Sequence, residues 1–270
     1  MEKVNPYNQN NKLVTENDII NIMETLNIND FKINNILLYQ RSFVHTSYCS
    51  SLYKDKEGQP LFNNIDGSLD LQETSYETME FLGDAILGSV VVSYLYERFY
   101  QIYNQDEGFL TYLKNRLVCG EMNAYLSNKL GFGKHLIISK HIEDKCDGRS
   151  NKNSLNNIFE SFIGAIFLDN NYEFTKNILL TIIEKYVDFT DLIIKNNNYK
   201  EQIIKYLQHN YKENPSFKII IDENDILNKS FRCNLIFKDK IIAKGYGENK
   251  KKAEQSAAKN GLIHFKVLTD

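Results

Sequence analysis

Apolar positions follow a helical period through most of the chain and turn strand-like only near its end. From Thr15 to about Leu26, the residues Ile19, Ile20, Ile22, Met23 and Leu26 mark one helix. Asn34 to Tyr48 reads as a second helix and its exit, with Ile36, Leu37, Leu38, Phe43 and Val44 apolar. The run from Tyr76 to about Phe99 is apolar nearly all round (Met79, Phe81, Leu82, Ile86, Leu87, Val90, Val91), which predicts a buried helix. Helical patterning resumes over 107–118, continues over 121–138 to and past the turn Gly131–Gly133, and runs from 154 to about Ile194. Polar stretches separate these runs. Residues 1–14 are expected to be disordered. Residues 49–73, with Gly58, Pro60 and Gly67, and residues 139–153 read as loops. Residues 196–198 read as a polar linker.

Beyond that linker the pattern changes. A helix is expected over roughly Lys200–Asn210. Three strand-like runs follow, Phe217–Ile221, Phe231–Phe237 and Ile241–Gly247, joined by turn signals. A last helix begins after Asn249, a good N-cap, with Ala253, Ala257, Ala258 and Leu262 on its packing side. The expectation is an all-α domain over 15–195 followed by an α+β domain of order α-β-β-β-α over 199–270.

Length and charge support this division. A chain of 270 residues with 42% hydrophobic content suits two domains with real cores. The net charge of −3 alone argues against a nucleic-acid partner, but it is unevenly distributed. Residues 198–270 carry 14 Lys+Arg against 9 Asp+Glu, and the remainder 18 against 26. Cys49, Cys119, Cys146 and Cys233 lie far apart with no C-x-x-C pair, which excludes a disulfide framework or zinc site. That usage fits an intracellular, reducing compartment, cytoplasm or nucleus. The N-terminus carries no apolar signal core, and the apolar runs look too short and interrupted to span a bilayer.

Candidate chemistry lies at three places. Glu77, Glu80 and Asp84 are spaced i, i+3, i+7, which aligns them on one helix face. Carboxylates along a buried helix are costly unless neutralised, and a divalent cation would do so. Glu77 reads equally well as the end of a T-x-x-E capping box begun by Thr74. Asp84 lies more than two turns in, where capping does not explain it. Glu160 is the only charge between Lys152 and Asp169, inside a helix that must be largely buried, and Gly164, one turn further on the same face, would let this helix closely approach the one that begins at Tyr76. Lys250, Lys251 and Lys252 sit at a helix N-terminus, where they oppose the helix dipole but suit phosphates.

Five stretches carry a family resemblance. Glu77-Thr78-Met79-Glu80-Phe81-Leu82-Gly83-Asp84-Ala85-Ile86-Leu87 resembles the ribonuclease III signature E-R-L-E-F-L-G-D-A-x-L. Ile158-Phe159-Glu160-Ser161-Phe162-Ile163-Gly164-Ala165-Ile166-Phe167-Leu168-Asp169 resembles the family's second motif, and Glu107-Gly108 with the following helix resembles a third segment. Ser42–Tyr48 is similar to A-x-T-H-x-S-Y, with His45 expected to be a packed histidine. Gly245–Ala258 resembles G-x-G-x-S-K-K-x-A-x-x-x-A-A of the double-stranded RNA-binding domain.

The resemblance implies an endoribonuclease domain followed by a double-stranded RNA-binding domain. It also implies a homodimer through the endonuclease domain, with duplex RNA as substrate and products bearing 5′-phosphate and 3′-hydroxyl. Glu80, Asp84, Asn157 and Glu160 would hold Mg²⁺, with Mn²⁺ as a possible substitute. Asp84 and Glu160 rank first as catalytic residues, and Glu77 and Glu107 are secondary acidic candidates. One departure stands out: the family's Asp three residues before the Glu is Asn157 here. An amide offers a carbonyl oxygen but no charge, so the site is expected to be weaker. The alternative reading is a catalytically weakened or inactive duplex-RNA-binding, sequestering protein.

Overall fold

The computed structural model describes residues 4–194, 198–221 and 231–268. It comprises two compact units, Met1–Phe189 and Thr190–Asp270.

The first unit is helical. In chain order it contains α1 (Glu16–Glu24), α2 (Ile36–Ser42), α3 (Glu77–Leu95), α4 (Gln101–Tyr103), α5 (Glu107–Leu117), α6 (Gly120–Lys129), α7 (Lys140–Cys146), α8 (Lys152–Asp169) and α9 (Tyr172–Tyr186). A π-helical turn, Tyr96–Tyr100, joins α3 to α4. Thr15 and Asp18 close a reciprocal capping box on α1. Asp106, Asn151 and Asn171 cap α5, α8 and α9. α8 is the central helix, buried from Ser154 to Ile166 on most of its surface. Tyr39, Phe43 and Phe132 stack around Phe162 on one side of it.

α3 packs directly on α8, and two glycines make that possible. A Cβ on Gly83 would lie 1.8 Å from the backbone oxygen of Glu160, and one on Gly164 would lie 2.4 Å from that of Met79. Each helix thus offers its bare backbone to the other. The contact matches what Gly164 suggested and adds Gly83 from the opposite helix.

Several expectations are corrected. Residues 4–14 are packed rather than disordered. Asn8 and Asn11 are buried and donate from Nδ2 to the Ile138 carbonyl at 3.1 and 2.9 Å, and Asn11 Oδ1 accepts from Arg149 at 3.0 Å. A polar segment is ordered here because its amides satisfy backbone groups that would otherwise be buried unpaired. Residues 139–153 include the helix α7, which lacks an apolar face and rests on the Ser139 cap and a Lys140–Asp144 pair. Thr74 caps nothing. The N-cap of α3 is Tyr76, and the Glu77 carboxylate accepts from Ser75 Oγ at 3.3 Å.

α3 is also not buried all round. Phe81 is 82% exposed, and Ala85, Val92 and Tyr96 continue its stripe. Contrary to expectation, Glu77–Tyr103 is by length and composition apolar enough to cross a membrane. Its buried side chains (Met79, Ile86, Leu87, Val90, Val91) instead make it a core helix.

The second unit holds α10 from Thr190 on (Phe189–Ile194), then α11 (Tyr199–Tyr211), β1 (Ser216–Ile221), β2 (Phe231–Phe237), β3 (Lys240–Gly247) and α12 (Lys250–His264). The strands form one antiparallel sheet in the order β1-β2-β3, with Ile219, Cys233 and Gly245 in register. Ile203 and Leu207 of α11 join Cys233, Leu235 and Phe237 of the sheet and Ala253, Ala257, Ala258 and Leu262 of α12 in one core. Gly245 leaves no room for a Cβ beside Ala257, so the small residues of α12 seat it against β3. The expected α-β-β-β-α order and the packing side of the last helix are as the pattern indicated. Asn198, placed in the linker from sequence, is the N-cap of α11. Residues 196–197 of that linker lie outside the described residues, as does the β1–β2 loop.

Substituting Gly83→Ala or Gly164→Ala is expected to separate α3 from α8 and destabilise the first unit by about 1–3 kcal/mol or more. Urea unfolding of each variant against the parent protein measures this. An unchanged midpoint would show that the helices yield freely at this contact.

Candidate active site and RNA-facing helix

The backbone contact between α3 and α8 decides which side chains meet. It brings Glu80 and Asp84 of α3 into electrostatic range of Glu160 on α8. Glu160 is only 7% exposed, Glu80 is half-buried and Asp84 is exposed. Burial, then the charges of Asp84 and Glu80, push the Glu160 carboxyl from its ordinary 4.5 up to about 7. Burial and the charges of Glu77 and Asp84 push Glu80 upward too. Glu80, Asp84 and Glu160 thus share one electrostatic neighbourhood, and none of them has a Lys or Arg ion-pair partner among the described residues.

Carboxamides hold Glu160 instead. Asn123 of α6 donates from Nδ2 to Glu160 Oε1 at 2.9 Å and to Asn156 Oδ1 at 3.1 Å. Asn156 donates from Nδ2 to Asn157 Oδ1 at 3.1 Å and to Glu160 Oε2 at 3.4 Å. Asn157 also lies near the Tyr76 hydroxyl, where it eases that group's ionisation. Tyr76 is buried at the start of α3, and its own ionisation is pushed upward by burial and by Glu80. Asn157 thus stands at the site, with one carbonyl lone pair used by Asn156 and another open.

The remaining candidates separate. Glu77 is exposed at the rim, close enough to raise Glu80. Glu107 is exposed at the start of α5 and accepts from Thr111 Oγ1 at 2.8 Å. Among the described residues, no hydrogen bond or ion pair joins Glu107 to α3 or α8. His45 is packed edge-on against Tyr76, and its Nδ1 accepts from the Ser47 amide at 3.0 Å. Burial pushes its pKa down, which favours the neutral ring expected of a structural histidine.

Sequence reasoning missed Asn123, Asn156 and Tyr76. The available signals were a tandem of amides inside an otherwise apolar helix and a polar residue at a packing position of α6.

On α12, Asn249 Oδ1 accepts from the Lys252 amide at 2.8 Å. Lys250 and Lys251 are exposed, and among the described residues neither has an ion-pair partner. Lys252 is exposed but pairs with Glu248 one turn earlier, so its charge is partly compensated. On α11, Lys200 pairs with Glu254 of α12 at 2.6 Å and lies over the Phe217 ring, which commits it to the fold.

Family models match both units. The family model "Ribonuclease III domain" matches residues 77–171, and "Double-stranded RNA binding motif" matches residues 199–264. The chain is 30% identical over 187 residues to a ribonuclease 3 from Symbiobacterium thermophilum, covering 69% of this chain and 77% of that protein. It is 29% identical over 238 residues to a ribonuclease 3 from Staphylococcus aureus, covering 88% and 89%. It is also 30% identical over 254 residues to a probable ribonuclease 3 from Acanthamoeba polyphaga mimivirus. That match covers 94% of this chain and 46% of the viral protein, so the chain spans less than half of it. Fold and matches together define the class, a double-stranded RNA endoribonuclease. The chain belongs to the ribonuclease III family.

The raised Glu160 carboxyl predicts a pH effect on the metal-free protein. Its folded pKa exceeds its unfolded value, so its contribution is fully present below about 4.5 and is lost as pH rises through about 7. The loss is on the order of 3 kcal/mol. Thermal melts at pH 5.5 and 8 should therefore differ more for the parent protein than for Glu160→Gln. Equal differences would show that Glu160 does not titrate in this window.

Proposed function

We propose that this chain cleaves duplex RNA by divalent-metal-dependent hydrolysis, leaving 5′-phosphate and 3′-hydroxyl ends, and that it works as a homodimer. The observation that carries the reading is Glu160, a buried carboxylate in electrostatic range of Glu80 and Asp84 and without a cationic partner among the described residues. The donor set is all oxygen, which suits a hard ion such as Mg²⁺, with Mn²⁺ as substitute. Glu80, Asp84, Glu160 and the Asn157 carbonyl would hold it. As they stand, no three His, Cys, Asp or Glu among the described residues are grouped tightly enough to hold an ion.

When bound, the ion supplies Lewis-acid chemistry: it acidifies the attacking water and stabilises charge on the leaving 3′ oxygen. The protein's own residues orient this chemistry. α8 fixes Glu160 at the floor, and α3 presents Glu80 and Asp84 across the Gly83 contact. Lys250 and Lys251 at the α12 N-terminus would engage phosphates, and 2′-hydroxyl contacts would distinguish RNA from DNA. The homodimer rests on the resemblance and on the exposed Phe81 stripe of α3, an apolar face that a second copy would cover. The four cysteines are free, in line with a reducing compartment.

A second reading is motivated by Asn157. One ligand charge is missing, so the protein binds duplex RNA and cuts it slowly or not at all. Long duplex RNA incubated with Mg²⁺ or Mn²⁺, beside a Glu160→Gln control, separates the two. Cleavage above the control is expected, and its absence with either metal would favour sequestration. Asn157→Asp should raise the Mg²⁺-dependent rate, and an unchanged rate would show that charge at this position is not limiting.

A further inference from the structure

The contact between α6 and α8 holds two amide side chains that the proposed chemistry does not use. Asn123 is 0% exposed. Burying a carboxamide in an apolar helix contact is unfavourable unless its groups are paired. Asn123 is paired on one side only. Its Nδ2 makes both of its bonds toward the carboxylate floor, while Oδ1 is buried without a partner among the described residues. An apolar residue would pack here without that cost. The position is therefore arranged around its donor.

Asn156 completes the arrangement. It lies one turn before Glu160 on α8, and its Nδ2 reaches Glu160 Oε2 at 3.4 Å. Each Glu160 oxygen thus receives one amide N–H, Oε1 from Asn123 and Oε2 from Asn156. Gly120 leaves the room required, since a Cβ there would stand 3.2 Å from Asn156 Oδ1. Ser127 Oγ, one turn beyond Asn123, donates to the Leu155 carbonyl at 2.6 Å and ties α6 to α8 at this level.

We propose that Asn123 and Asn156 are positioning residues that hold both oxygens of Glu160 in the orientation a divalent cation requires. The inference rests on the cation site proposed above. An ionised carboxylate has about four lone-pair sites, so one donor on each oxygen leaves the others for a metal. The two amides also restrict rotation about the last side-chain bond, which otherwise has a broad profile. Removing partners of this kind from a metal ligand costs about 10–100-fold in metal affinity.

The test is calorimetric titration of the full chain with Mn²⁺ alone, without RNA, for the parent protein, Glu160→Gln, Asn123→Leu and Asn156→Ala. Metal-free unfolding midpoints and duplex-RNA binding without metal are measured on the same samples. The expected result is that Glu160→Gln abolishes Mn²⁺ binding and each Asn variant weakens it at least about tenfold. RNA binding without metal should not change. A purely structural role would move the unfolding midpoint and leave Mn²⁺ affinity alone. If Asn123→Leu does not fold, Asn156→Ala decides, because alanine is favourable at a half-buried helix position. Parental Mn²⁺ affinity in the Asn variants, with binding lost in Glu160→Gln, overturns this inference and leaves the cation site intact. No Mn²⁺ binding by the parent protein, or parental binding by Glu160→Gln, removes the site and the inference together.

Discussion

The nuclease unit depends on one close contact, the backbone-to-backbone approach of α3 and α8 at Gly83 and Gly164. Any side chain at either position would push the helices apart. Glu160 would then lose its enclosure, and Glu80 and Asp84 would no longer share its field. The carboxylates are thus held together against their own repulsion by core packing from Met79, Ile86, Leu87 and the aromatic cluster at Phe162. Core burial of this kind supplies about 1.5–3 kcal/mol per large apolar side chain, enough to support a few strained electrostatic terms. The price of that arrangement appears in the raised Glu160 carboxyl.

Much of this arrangement was legible in the sequence, and the reason differs from residue to residue. Glu160 stood out because a lone charge in an apolar run has no ordinary explanation. Asp84 stood out because capping does not reach that far into a helix. Gly164 was recognisable as a place for close approach, and its counterpart Gly83 followed only once the helices were paired. The strands and last helix of the second unit were marked by alternation, turn residues and the Asn249 cap.

The unread features share a cause. Asn8, Asn11, Asn123 and Asn156 each look like surface or loop residues, because an amide carries no charge and sets no period. Their roles depend on partners more than a hundred residues away for Asn8 and Asn11, and on another helix for Asn123. Phe81 misled in the opposite sense. Its hydrophobicity implied burial within the chain, whereas it faces outward on a stripe. Helix α7 escaped notice because helices held by caps and ion pairs lack the apolar period that marks others.

In the proposed function, α3 and α8 together form a cation site from Glu80, Asp84 and Glu160. Anomalous diffraction from crystals of the full chain soaked in Mn²⁺ tests it most directly. A manganese peak coordinated by Glu160 and by at least one of Glu80 and Asp84 is expected. A peak elsewhere, or none beside these carboxylates at saturating Mn²⁺, would rule this site out.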